Sequence, residues 1–146
     1  MNIIELKFRR YFKSSELVSV LHYSEFVNKD DIYFLFSDNL KAVIVYLREA
    51  IGVPFTVNTW HKYGQFQYRG FRDKTCSIGA PKSLHRTGEA LDFDIKGFTA
   101  EGARKLIVEK IGNLPYPIRL ESDVNWVHLD LHPVFNSHKI NFFKGK

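Results

Sequence analysis

The stretch Ser83-Leu84-His85-Arg86-Thr87-Gly88-Glu89-Ala90-Leu91-Asp92-Phe93-Asp94 decides how this chain is read. Leu91, Phe93 and Ile95 alternate with Asp92 and Asp94, which predicts a strand with one apolar and one acidic face. His85 and Asp92 lie seven residues apart. On one regular strand an odd separation places two side chains on opposite faces, so these two meet only if the chain bends between them. Gly88 tolerates the backbone angles of such a bend, and Ala90 is small enough for backbone to pass close behind.

A second stretch, Glu121-Ser122-Asp123-Val124-Asn125-Trp126-Val127-His128, runs into another alternating segment. There Val127, Leu129 and Leu131 interleave with His128, Asp130 and His132, predicting a second half-buried strand. If the two strands pair, His85, Asp92 and His128 can reach one ion at the ~2.0–2.2 Å usual for zinc. Two histidines and one carboxylate leave a coordination position open for water. On spacing alone a hydrogen-bonded His–Asp pair is the commoner arrangement. Asp94, Asp130 and His132 likewise suit the solvent face of an edge strand.

Working outward, the clearest helix is predicted over Asp38 to Ile51. Leu40, Val43, Ile44, Leu47 and Ile51 recur at helical spacing, Ser37 or Asp38 serves as cap, and Gly52 and Pro54 end it. Phe55-Thr56-Val57 reads as a strand. Trp60 to Ser83 is rich in Gly, Arg and aromatics without clean periodicity, the mark of a long irregular loop that is either functional or merely stapled down. Thr99 caps a further helix with Ala103, Leu106, Ile107 and Ile111 inward and Gly112 at its end. Met1 to Lys13 reads as a short strand leading to a helix. Ser14-Ser15 is placed to cap a helix whose face is Leu17, Val18 and Leu21, and Asn28 to Asp31 reads as a break. Ile118 to Leu120 leads into the second stretch, and the tail after Pro133 carries no helical or strand pattern.

A chain of 146 residues fits one domain, 1–146, with length enough for a real core. Apolar residues at 45% and charged ones at 25% exclude a disordered chain. The net charge of +5 comes from scattered Lys and Arg, with only Lys7-Phe8-Arg9-Arg10 clustered, so no nucleic-acid partner is expected. The single Cys76 excludes a disulfide framework and a cysteine-rich zinc knot. No apolar run approaches the ~18 residues of a membrane span. No basic start followed by an apolar run marks a signal peptide, so the expectation is synthesis in the cytoplasm, as a monomer.

Ser83-Leu84-His85-Arg86-Thr87-Gly88-Glu89-Ala90-Leu91-Asp92 resembles the Ser-x-His-x-x-Gly-x-Ala-x-Asp signature of the zinc D-alanyl-D-alanine carboxypeptidase family. That family includes D-Ala-D-Ala dipeptidases and phage endolysins that cut L-alanyl-D-glutamate bonds, and it shares a hedgehog-like zinc fold. Trp126-Val127-His128-Leu129-Asp130 is similar to its closing segment. Tyr11 to Leu17 resembles the Phe-x-x-x-Glu-Leu opening of its phage-like members, and Leu47 to Gly52 with Pro54 to Asn58 resembles the next block. The likeness covers most of the chain to about His132; the zinc signature is specific and the upstream blocks are supportive.

The resemblance implies His85, Asp92 and His128 as ligands of Zn2+ and Ser83 as a holder of the substrate carboxylate. The family's water-activating acid often stands three residues before the last histidine, where this chain has Asn125, which takes no proton. Glu121 and Asp123 are the remaining acids. Glu121-Ser122 looks like the Glu-Ser pair of hedgehog-type domains, and glutamate has the longer reach, so Glu121 is preferred as the base. The family's substrate arginine falls near Lys62, leaving Arg69 and Arg72 of the aromatic loop as substitutes, Arg72 for carbonyl polarisation and Arg69 for substrate binding.

The expected fold is therefore α+β, a small antiparallel sheet with helices on one face and the zinc site on the other. The expected function is zinc-dependent hydrolysis of peptide bonds in peptidoglycan stem peptides, of D,D-carboxypeptidase or L-alanyl-D-glutamate endopeptidase type, acting at the bacterial cell wall. A non-catalytic zinc-binding module that recognises cell-wall peptides is the alternative.

Overall fold

The longest helix is defined by its ends. The Ser37 hydroxyl accepts the Leu40 N–H at 3.1 Å, and Gly52 closes the far end in the left-handed region at φ 81°. Between them, α3 (Asp38–Ile51) buries Leu40, Val43, Ile44 and Leu47 along one face, as its spacing predicts. The computed structural model describes residues 1–80 and 82–145. Three further helices are α1 (Ile3–Tyr11), α2 (Val20–Glu25) and α4 (Ala100–Glu109), and the strands are β1 (Phe55–Thr56), β2 (Ala90–Ile95), β3 (Ile118–Ser122), β4 (Val127–Asp130) and β5 (Ile140–Lys144).

The strands form one sheet in the order β1-β2-β4-β3-β5. β1, β2, β4 and β3 pair antiparallel, with Asp92 directly opposite His128 and Arg119 opposite Asp130. Strand alternation then divides the sheet. Leu91, Phe93, Val127, Leu129, Ile118 and Leu120 face a core built with α3 and α4, where Phe55 stacks on Phe93 at 4.7 Å. Asp92, Asp94, His128, Asp130, Arg119 and Glu121 stand on the other face. The architecture is α+β, as expected.

Several local expectations are corrected. The sheet is mixed rather than wholly antiparallel, because β5 pairs parallel with β3, from Ile118 with Ile140 to Ser122 with Lys144. The N-terminal segment is helical almost throughout: Asn2 accepts the Glu5 N–H at 2.8 Å, and Phe8 and Phe12 pack into the core with no leading strand. Leu17 and Val18 are fully buried but lie outside any helix. Ser19, not Ser14 or Ser15, caps α2, and Leu21 is exposed. Asn28 starts a 3-10 run over Lys29–Leu35 instead of a simple break. Thr99 does cap α4, but the helix stops at Glu109, before Gly112, and Ile111 is exposed.

The irregular segment after β1 is fastened rather than loose. Asn58 is buried: its amide donates to the Val18 carbonyl at 3.1 Å and its Oδ1 accepts the Arg69 N–H at 2.9 Å. The Arg69 carbonyl accepts the Asp92 N–H, and the Phe71 N–H donates to the Leu17 carbonyl. A Cβ at Gly70 would collide with the Leu17 carbonyl, so only glycine lets the chain pass here. This threading brings residues 69–72 beside the polar face of the sheet.

Candidate metal centre

His85 reaches the polar face of the sheet from outside it. Ser83 caps a one-turn 3-10 segment, Leu84–Arg86, by accepting the His85 N–H at 3.3 Å. Gly88, at φ 74°, then turns the chain into β2. A Cβ at Gly88 would strike the Leu35 carbonyl, while the Gly88 carbonyl accepts the Ser37 N–H at 3.0 Å, tying this turn to the start of α3. The bend expected at Gly88 is thus present.

The turn delivers His85 Nε2 to 3.2 Å from Asp92 Oδ1 and 3.3 Å from His128 Nδ1, while His128 Nδ1 stands 2.7 Å from Asp92 Oδ1. All three residues are buried or nearly so. Each ring's other nitrogen fixes its role. His85 Nδ1 lies 2.9 Å from the Gly70 carbonyl, which can only accept, so Nδ1 carries the proton and Nε2 is left bare. His128 Nε2 donates to Asp130 Oδ2 at 2.8 Å, leaving its Nδ1 bare when the ring is neutral. With both rings neutral, two imidazole lone pairs and a carboxylate oxygen converge on one point, and either a metal ion or a proton on His128 Nδ1 satisfies them.

The donor set is that of a candidate metal-binding group. Adjacent ligand atoms of a tetrahedral zinc lie about 3.3 Å apart, given ~2.0–2.1 Å bonds. Two of the three spacings match this value, and the third is closed to hydrogen-bond length. His85, Asp92 and His128 thus form a candidate metal-binding group.

Support behind these three residues is extensive. Asp130, almost fully buried, receives Arg119 through two 2.9 Å hydrogen bonds and Arg119 stacks over the Phe143 ring at 3.8 Å. A carboxylate behind a ligating histidine orients the ring and raises its basicity. Burial opposes charge on the His128 ring, but the hydrogen bonds to Asp130 and Asp92 outweigh it and push its pKa up to about 9. In Asp92 burial works toward protonation, yet the histidines beside it hold the carboxyl well below the usual range. Asp130 is held low in the same way by His128 and Arg119.

The triad lies in a cleft of about 580 Å³ whose wall also carries Arg72, Ser83, Arg119, Glu121, Trp126 and His132. Glu121 follows Arg119 on the same face of β3, and continuing the Arg119–Asp130 register carries it beside His128. Asp123 lies outside this wall, in a left-handed turn at φ 62°, with its side chain exposed and 3.5 Å from Lys144. Arg72 Nη2 is 3.4 Å from Asp92 Oδ2, at the edge of the cleft. Arg69 is in an adjoining groove with Asn125: its guanidinium pairs with Asp94 at 2.9 Å and covers the Phe66 ring. Arg72, Asp92 and Trp126 line both spaces.

The structure therefore gathers His85, Asp92, His128, Glu121, Arg72 and Ser83 in one cleft and places Arg69 and Asp123 elsewhere. Of the three polar residues expected on a solvent face, Asp130 is instead buried against His128, Asp94 pairs with Arg69, and His132, among the described residues, hydrogen-bonds Pro133 and the Asp130 carboxylate. Sequence reasoning missed Arg119 and Phe143. The alternation Ile118-Arg119-Leu120-Glu121 already puts Arg119 on the face of Glu121, but its partner Asp130 appears only with the strand register.

No family model matches the chain, no curated protein matches it, and no solved structure matches it. Among the described residues, no helix is long and apolar enough to cross a membrane.

Proposed function

We propose that this chain is a zinc-dependent hydrolase of peptide bonds in bacterial peptidoglycan stem peptides, acting next to a D-amino acid. The observation that carries the reading is the convergence of His85 Nε2, Asp92 Oδ1 and His128 Nδ1 in a cleft that also holds Glu121. The substrate class rests on the resemblance of Ser83–Asp92 and Trp126–Asp130 to the zinc D-alanyl-D-alanine carboxypeptidase family. His85, Asp92 and His128 would hold Zn2+, which when bound lowers the pKa of water toward ~7 and polarises a carbonyl.

The chain's own residues supply the rest. Glu121 takes a proton from the attacking water and returns it to the leaving amine as the carbon–nitrogen bond breaks. Arg72, next to Asp92 on the cleft wall, offers a planar donor pair to the substrate carbonyl or carboxylate. The Ser83 hydroxyl accepts from His85 N–H and keeps its own proton to donate to a substrate carboxylate. Asp130 and Arg119 hold the His128 ring so that Nδ1 faces the ion.

Asn125 favours a second reading, a zinc-dependent binding module for wall peptides, since an amide stands where relatives of the motif often keep the acid. One experiment separates the two: zinc content and muropeptide digestion of wild type, His128→Ala and Glu121→Ala. Hydrolysis predicts one zinc at this centre, its loss in His128→Ala, and a zinc-loaded but inactive Glu121→Ala. Zinc retention without cleavage of any muropeptide supports the binding module. A centre that takes no zinc under metal-replete conditions refutes both.

A further inference from the structure

His22 is a histidine the cleft does not use. It stands on α2 with its ring against Phe26 and Phe71, at 5.1 and 5.8 Å between centroids. Its Nδ1 is buried and has no hydrogen-bond partner among the described residues. A buried polar nitrogen left unpaired is destabilising, and a bound ligand would relieve it. One of its nitrogens, one carboxylate oxygen of Glu25 and one of Asp73 all lie within 4.8 Å of one another.

The three side chains come from two separate places. His22 and Glu25 are three apart on α2 and so share a helix face. Asp73 belongs to the loop that follows Arg72, and its carboxylate is fixed by the Thr75 N–H and hydroxyl, at 3.0 and 2.6 Å on Oδ1. That leaves its Oδ2 without a protein partner among the described residues. The Thr75 hydrogen bonds keep the Asp73 carboxyl below its ordinary range. Neither carboxylate closes to ion-pair distance on the imidazole among the described residues, so the spacing accommodates an ion between the groups better than a direct contact.

We propose that His22, Glu25 and Asp73 form a second divalent-metal site, separate from the centre at His85, Asp92 and His128. One imidazole and two carboxylates balance the charge of a dication, and the nitrogen donor suits Zn2+ or Mn2+ over Mg2+ and Ca2+. The position gives the site a consequence. Asp73 is the neighbour of Arg72, whose guanidinium contacts Asp92, and the Asp73 carbonyl accepts from Arg86 Nη1 at 3.1 Å, next to His85. An ion here ties α2 to the segment that presents Arg72 to the cleft. The site shares no ligand with the first and stands whether or not the hydrolase reading holds.

The test is Zn2+ titration by calorimetry, with equilibrium dialysis for stoichiometry, of the metal-stripped full chain. The variants are Glu25→Gln, Glu25→Gln with Asp73→Asn, and His128→Ala, each checked for native folding by circular dichroism. Wild type is expected to take two zinc ions and His128→Ala to keep the one at His22. Glu25→Gln, at an exposed position that tolerates change, is expected to weaken that ion at least about tenfold. The double variant is expected to retain only the ion of the cleft. Identical stoichiometry and affinity in wild type and Glu25→Gln overturn the proposal. A single zinc lost only in His128→Ala overturns it and leaves the first centre standing; a single zinc kept in His128→Ala and lost in the double variant keeps it and removes the first.

Discussion

His128 is held between two carboxylates, Asp92 at 2.7 Å and Asp130 at 2.8 Å, and a proton or a metal ion answers that surplus of negative charge equally well. In the metal-free protein the proton takes the place, which is why the ring's pKa rises from 6.5 to about 9. A folded-state pKa raised above its unfolded value contributes stability that is fully present below about pH 6.5 and lost as pH rises through about 9. The metal-stripped protein should therefore lose roughly 2–3 kcal/mol over that window by urea denaturation, and His128→Ala should lack this loss. Equal pH slopes in the two proteins would contradict the assignment. The carboxylate behind the ring has its own signature. Asp130→Asn keeps the shape but weakens the hold on the His128 Nε2 proton, and zinc affinity measured against a chromophoric chelator should fall about 10–100-fold. An unchanged affinity would show that Asp130 merely anchors Arg119.

At the scale of elements, the turn between the Leu84–Arg86 segment and β2 decides whether His85 arrives at all. Gly88→Ala meets both an unfavourable φ of 74° and the Leu35 carbonyl. It should cost about 1–3 kcal/mol in chemical denaturation and weaken metal binding with it. A loss under about 0.5 kcal/mol would mean that the turn relaxes freely. This turn was legible in the sequence, because a glycine between His85 and an alternating strand has few other uses. β2 and β4 were legible for the same reason: Leu91, Phe93, Val127 and Leu129 separate cleanly from Asp92, Asp94, His128 and Asp130. β5 was not. Phe142 and Phe143 are adjacent and point to opposite faces, one beside α4 and one under Arg119, so the segment shows no polar–apolar contrast. The same limit hid Arg119, whose meaning depends on lying opposite Asp130 rather than on any neighbour in the chain. In the first helix, Lys7, Arg9 and Arg10 mask the buried line through Phe8, and the Asn2 cap is the only local sign of where it starts.

For the molecule as a whole, the formal charge of +5 has a local expression. Arg72, Lys82, Arg119 and Lys144 stand on the cleft wall against Asp92, Glu121 and Asp130, which leaves the cleft a small positive excess toward anionic ligands. If stem peptides with free carboxylates are the substrate, kcat/KM should fall severalfold as ionic strength rises from about 0.05 to about 0.5 M, as screening shortens the reach of these charges. Lys82→Glu should flatten that dependence without removing the metal; a salt-independent kcat/KM in wild type would count against steering. The architecture serves the centre: helices and aromatic core hold one face of the sheet, and the opposite face presents a histidine, an aspartate and their supports at fixed strand register. The most direct test of this account is anomalous diffraction at the zinc edge from crystals grown with zinc. The account predicts a peak bounded by His85 Nε2, Asp92 Oδ1 and His128 Nδ1. Crystals that bind zinc elsewhere while these three atoms stay hydrogen-bonded to one another would contradict it.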